Sequence, residues 1–213
     1  MINVFEHLRL LGLGHLYNWV MENNSGGLNP YHGNLHIERV TEFALIGATF
    51  HDLSFREHQM IAAAALLHDI NHTGGTAKSD DDNIKLALDA LEIYFAEHND
   101  KLGFTKSEIE TVANSIRATR FPYELKGNDL TLIQKILRDS DVVQGPYCQS
   151  YLTSIVRGLC IEMKVPMAKG LEMQVGFYNS LKFETSWAED LMAKALPNVI
   201  VLCDTMKSLI AAK

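Results

Sequence analysis

The chain has 213 residues, 47% of them apolar and 21% charged, which suits one generous globular domain with a sizeable core. A net charge of −7 with neutral histidines excludes a protein that coats nucleic acid, because phosphate backbones need a basic surface; a small phosphate substrate held through metal ions is still compatible. Cys148, Cys160 and Cys203 lie far apart with no CxxC pair and read as reduced thiols, the polar start Asn3, Glu6, His7, Arg9 is no signal peptide, and the apolar run Ile61 to Leu67 is far too short to span a bilayer.

The expectation is a cytoplasmic protein without a membrane anchor. Apolar residues recur with helical spacing nearly throughout. Leu8 to Met21 reads as one amphipathic helix that stops at the polar turn Glu22 to Gly27. Leu35 to Phe50 is the second. Ser54 opens a third, with Glu57 completing a capping box, and it runs to about Ile70. Gly74-Gly75 and the acidic stretch Asp80 to Asp82 read as a loop, and Asn83 to His98 returns to helix. Thr105 with Glu108 caps another helix to Thr119. Leu130 to Val143, Cys148 to Met163, Gly170 to Leu181 and Thr185 to Ala195 follow, and Pro197 separates off a last segment, Val199 to Ala212. No stretch alternates with period two, so the fold class is all-α, a single compact domain over residues 1–213.

The chemistry gathers around His68-Asp69, at the end of the very apolar stretch Ala62 to Leu67. A helix buried on nearly all sides should not finish on two ionisable groups unless something satisfies them, and a metal ion compensates both together. Alone, such a pair is most often a hydrogen-bonded helix end, and His51-Asp52, a second pair at a polar helix end, is read that way. His68-Asp69 has company. Upstream is Tyr31-His32-Gly33-Asn34-Leu35-His36, with two histidines four apart at a helix start and so on one face. Downstream are His72-Thr73-Gly74 and, far along, Asp141 in Leu137 to Val143. A ligand set of His and carboxylate without thiolate suits Zn, Mn, Fe or Mg.

The order His, His-Asp, Asp, with helix between the elements, resembles the HD phosphohydrolase superfamily. Within it, the chain is similar to the class I 3′,5′-cyclic nucleotide phosphodiesterases over roughly residues 30 to 190. Tyr31 to His36 keeps the histidine spacing of that family's first motif, and His68-Asp69-Ile70-Asn71-His72-Thr73-Gly74 matches its second. Ala118-Thr119-Arg120 and Ser140-Asp141 to Pro146 resemble the next two. Val165-Pro166-Met167, Gln174-Val175-Gly176-Phe177 and Trp187 resemble its C-terminal part.

The resemblance implies a compact HD-type helical domain hydrolysing cyclic nucleotides to 5′-nucleotides. It implies two divalent ions: Zn, Mn or Fe held tightly by His36, His68, Asp69 and Asp141, and Mg or Mn, mostly water-coordinated, bridged by Asp69. A metal-activated hydroxide would attack phosphorus. His32 would be the general acid, with His72 near the bridging water. Gln174 would bond the purine edge and Phe177 stack on its face, with Tyr31 also at the substrate. The partner is a small nucleotide, with no nucleic-acid polymer; a homodimer is compatible.

This sequence departs from the family pattern at Gly33, where the family has Asn (here Asn34, one residue on), at Arg120, where it has Asp, and at Gln144-Gly145-Pro146, where it has Asn-Pro. These changes touch the nucleotide pocket more than the metal ligands. Glu97 is a candidate carboxylate near the site. Competing readings are a nucleotidase or nucleoside triphosphohydrolase on the same ligands, with Lys78, Lys85 and Arg120 near extra phosphates, a di-iron oxygenase, and a non-catalytic nucleotide-binding module.

Overall fold

Three of the helices start on the same reciprocal cap. Ser54 with Glu57, Thr105 with Glu108 and Thr131 with Gln134 each satisfy two backbone N–H groups that a helix start leaves free. The third pair was not read from the sequence. The computed structural model describes residues 3–76, 79–148 and 150–211, and among them there are ten α-helices and no strand. In chain order they are α1 (Val4–Leu10), α2 (Gly14–Asn23), α3 (Asn34–Phe50), α4 (Phe55–Leu67), α5 (Asp80–Leu102), α6 (Lys106–Ala118), α7 (Leu132–Val143), α8 (Arg157–Met163), α9 (Met167–Ser180) and α10 (Ser186–Ala211). A short 3₁₀ turn, Gly127–Asp129, precedes α7, and Tyr151–Val156 is wound as π-helix into α8. The all-α expectation therefore holds for the described residues.

Several boundaries differ from the sequence reading. The expected helix from Leu8 to Met21 is two, broken where Gly12 takes φ +76 and Leu13 N–H turns back to Leu8 O. Leu8, Leu11, Leu13 and Leu16 all enter one core, which is why the apolar rhythm ran through the break. Asp80 to Asp82 is not loop but the first turn of α5, where three carboxylates meet the positive end of the helix dipole. Pro197 does not divide the last segment, for α10 runs through it. Pro197 and Ala193 are both exposed, so the carbonyl that loses its partner there can be hydrated. Ala212 lies outside the described residues.

The α4 stretch Ile61–Leu67 is wholly buried, and α2, α3, α5, α6 and α7 surround it. Its four alanines permit that crowding. A second apolar cluster joins the end of α7 to the segment from Cys148 through α10, centred on Val143, Val156, Leu171 and Trp187. The two clusters meet along α3 and α7. Gly47 of α3 makes that meeting close, since a Cβ there would lie 2.7 Å from Ile136 Cγ2 and 3.0 Å from the Trp187 ring. The three cysteines are buried and free. No helix among the described residues is long and apolar enough to cross a membrane.

Candidate metal centre and adjoining cleft

His36 stands in the first turns of α3, His68 caps the C-terminus of α4, Asp69 follows in the turn, and Asp141 lies near the end of α7. Three buried elements thus bring four side chains to one point. His36 Nε2 is 3.1 Å from Asp69 Oδ2 and 3.2 Å from Asp141 Oδ1. His68 Nε2 is 3.5 Å and 3.8 Å from the same two oxygens, and the two Nε2 atoms are 3.3 Å apart. Ligands about 2.1 Å from a tetrahedral ion are separated by roughly 3.4 Å, so these five separations suit one divalent cation. The donor set of two imidazoles and two carboxylates fits as well. His36, His68 and Asp141 form one potential metal group among the described residues, and His32, Asp69 and His72 form another.

The backbone distinguishes these histidines. His68 Nδ1 is 2.7 Å from Ala65 O, which can only accept, so the proton sits on Nδ1 and the Nε2 lone pair faces the cluster. His72 is the reverse. Gly74 N–H donates to its Nδ1 at 3.1 Å, so the neutral ring carries its proton on Nε2 and acts as a donor rather than a ligand. Burial is the main cause that pulls the His72 pKa down to about 4 and keeps it neutral.

With protons alone at the cluster, burial opposes the charge on His36, but hydrogen bonds to Asp141 and Asp69 outweigh it and lift its pKa to about 10. Burial likewise works against the two carboxylates, yet the facing histidines hold both well below the ordinary range. Two ionised carboxylates that hold protons on the facing histidines mark a place where a cation could replace those protons.

His32 stacks on His72 at 3.8 Å between ring centres. Its Nδ1 is 2.6 Å from Glu162 Oε2, leaving Nε2 as the free nitrogen. Glu162 Oε1 also accepts from the Tyr31 and His32 backbone N–H groups. Burial disfavours the Glu162 charge, but His32 and these N–H donors lower its pKa and keep it ionised. This carboxylate was missed in the sequence. It lies 130 residues from His32, on a helix end flanked by Ile161 and Met163, with no motif to mark it. Glu97, the candidate named instead, is exposed beside His98.

A cleft of about 420 Å³ opens beside the cluster, and Tyr31, His32, His72, Asp141, Gln174 and Phe177 all line it. The Tyr151 hydroxyl donates to Gln174 Oε1 at 2.7 Å, which leaves the Gln174 amide nitrogen to the cleft side chain's remaining bonding. Phe177 meets Phe121 edge to face at 5.8 Å, and Phe121 is half exposed. The Tyr31 hydroxyl is engaged by Gln144 Nε2 at 3.0 Å. Tyr31 thus lines the cleft with its hydroxyl already bonded.

The departures from the motif pattern have local causes. A Cβ on Gly33 would meet Asn29 O at 2.7 Å and Gly27 O at 2.8 Å, so no larger residue fits there. Asn34 accepts from Asn24 Nδ2, and Asn24 also receives Asn71 N–H, binding the two motif loops together. Arg120 pairs with Asp81 and Glu124, and Lys85 with Asp89, so neither is turned to a phosphate in the cleft. Lys78 lies outside the described residues. His51-Asp52 ends α3 some fifteen residues from His36, roughly 22 Å along the helix, and takes no part.

No protein-family model matches the chain, and no curated protein matches it.

Proposed function

We propose that this chain is an HD-type, metal-dependent phosphohydrolase, similar to the class I cyclic nucleotide phosphodiesterases, that opens 3′,5′-cyclic nucleotides to 5′-nucleotides. The observation that supports the reading is that His36, His68 and Asp141 could hold one metal ion, with Asp69 Oδ2 3.1 Å from His36 Nε2 and 3.5 Å from His68 Nε2. Bound there, divalent metal would supply positive charge to the phosphate and acidify a water to serve as nucleophile.

The other groups divide the remaining work. His32, with Nδ1 fixed by Glu162, presents Nε2 as the acid that protonates the leaving 3′ oxygen. His72, held neutral with its proton on Nε2, orients a water or phosphate oxygen as donor. Gln174, its oxygen taken by Tyr151, offers N–H to an acceptor on the base edge, and Phe177 offers a ring to the base face. The cleft volume lies in the range that holds a small ligand.

The test is a panel of cyclic and linear nucleotides assayed with chelator and with Mn or Mg restored. The expected result is metal-dependent release of 5′-nucleotide from a cyclic substrate. Turnover of linear nucleotides alone would move the assignment to a nucleotidase, and tight binding with intact ligand recovered would make the protein a binding module.

A further inference from the structure

A second cavity of about 180 Å³ adjoins the site. It shares Tyr31 and Ile155 with the cleft but is not lined by His32, His72 or Asp141. Its character is different. No carboxylate lines it, while Arg39 does. Arg39 forms no ion pair among the described residues, and its Nε is buried without a hydrogen-bond partner. Half-buried arginines are ordinarily paired, because a guanidinium that gives up water needs acceptors in return.

Two further features of the same cavity supply donors. Gly33, Asn34 and Leu35, the start of the 17-residue helix α3, line it; Asn34 N–H is taken by Gly27 O and His36 N–H by Gly33 O, so the donor this helix start offers is the Leu35 N–H. Arg39 stands four residues after Leu35, on the same face, so a guanidinium and the positive end of the helix dipole address one space. Gln144 is fully buried and also lines the cavity, with Oε1 unpartnered and Nε2 placed 3.0 Å from the Tyr31 hydroxyl and 3.3 Å from His36 Nδ1. A half-turn of that amide gives up the long 3.4 Å contact from Nε2 to Asp141 O, lets Oε1 accept from Tyr31 and from a His36 Nδ1–H, and makes Nε2 a donor without a protein partner.

We infer that this cavity is a binding site for a small oxyanion of phosphate size, held by Arg39, the start of α3 and the Gln144 amide, and separate from the substrate cleft. The cavity touches the metal centre only through His36, whose Nδ1 side lines it while Nε2 faces the cluster. The assignment follows from an unpaired cation, the Leu35 N–H at a helix start and an unsatisfied buried amide lining one space that no carboxylate lines.

Calorimetric titration of inorganic phosphate and of sulfate into the full chain, with chelator present to keep metal from binding the anion, tests it. Saturable binding of one anion per chain is expected, weakened at least tenfold by Arg39→Gln, largely kept by Arg39→Lys, and unchanged by His32→Ala. Equal affinity in Arg39→Gln, loss in His32→Ala, or no saturable binding to the folded protein would overturn it. Crystals soaked in selenate give a check that needs no variant. An anomalous peak beside Arg39 supports the site, and peaks only elsewhere refute it.

Discussion

At the scale of single residues, the proposed reaction separates His32 from Glu162. His32→Ala removes the ring assigned to protonate the leaving oxygen, while the four proposed ligand side chains are untouched. Turnover should fall by roughly a hundredfold or more. Metal content measured by elemental analysis should stay at the wild-type level. Glu162→Gln keeps the shape but loses the carboxylate that fixes the ring, and about a 10–100-fold loss is expected. If Glu162→Gln alters only KM and leaves kcat intact, the carboxylate does not act through His32. Gln174→Ala should raise KM and blunt discrimination among bases with a smaller change in kcat. Identical kinetics on every nucleotide would remove Gln174 from base recognition.

At the scale of elements, the geometry of the centre depends on how α3 lies on α7. His36 belongs to one and Asp141 to the other, and Gly47 permits their approach more than two turns away from His36. Gly47→Ala forces a methyl against Ile136 and Trp187, an overpacking that costs about 1–3 kcal/mol. Since a protein of this size loses roughly 2–4 °C in Tm per kcal/mol, a drop of several degrees is expected by calorimetry. Because the strain parts the two ligand-bearing helices, metal affinity should fall with it. A destabilised variant with unchanged metal affinity would show that the helices adjust without disturbing the centre.

The elements also show what the amino-acid sequence makes legible. The capping boxes at Ser54 and Thr105 and the buried run of α4 act locally, so their signals are local too. His32 and His36, four apart at a helix start, share a face, and His68-Asp69 ends an apolar helix, so those signals are local; Asp141 is joined to them through the resemblance alone. What the reading missed depends on contacts distant in sequence. Glu162 gains its role only when α8 folds back on the loop before α3, where Gly158 lets the backbone of Pro30 approach. The continuity of α10 through Pro197 depends on which face is wet, and an apolar rhythm around a proline does not reveal that. The break at Gly12 was hidden because both halves of the segment feed one core.

At the scale of the whole molecule, the centre lies at the seam of two apolar clusters, so its ionisation is linked to the stability of the fold. With metal removed, His36 has a folded pKa near 10 against an ordinary value of about 6.5. Below pH 6.5 the ring is protonated in both folded and unfolded chains, and its pairing with Asp69 and Asp141 contributes in full. As pH rises from there toward 10, the folded state keeps a proton that the unfolded state has released, so stability declines across that window. The two carboxylates have the opposite sign. Their pKa values are lowered on folding, and their contribution fades only as pH falls below about 4. In chelator, Tm should therefore decline between pH 6.5 and 9.5, by roughly 2–4 °C for each kcal/mol of pairing lost. Saturating Mn or Zn should raise Tm and flatten or reverse that decline, because a cation replaces the proton and binds more tightly as imidazole is deprotonated. Scanning calorimetry across this range, with and without metal, reads both effects. A Tm in chelator that does not change from pH 6.5 to 9.5 would mean that His36 is not ion-paired in the metal-free fold. The same slope with and without metal would mean that no cation takes the proton's place between His36 and His68.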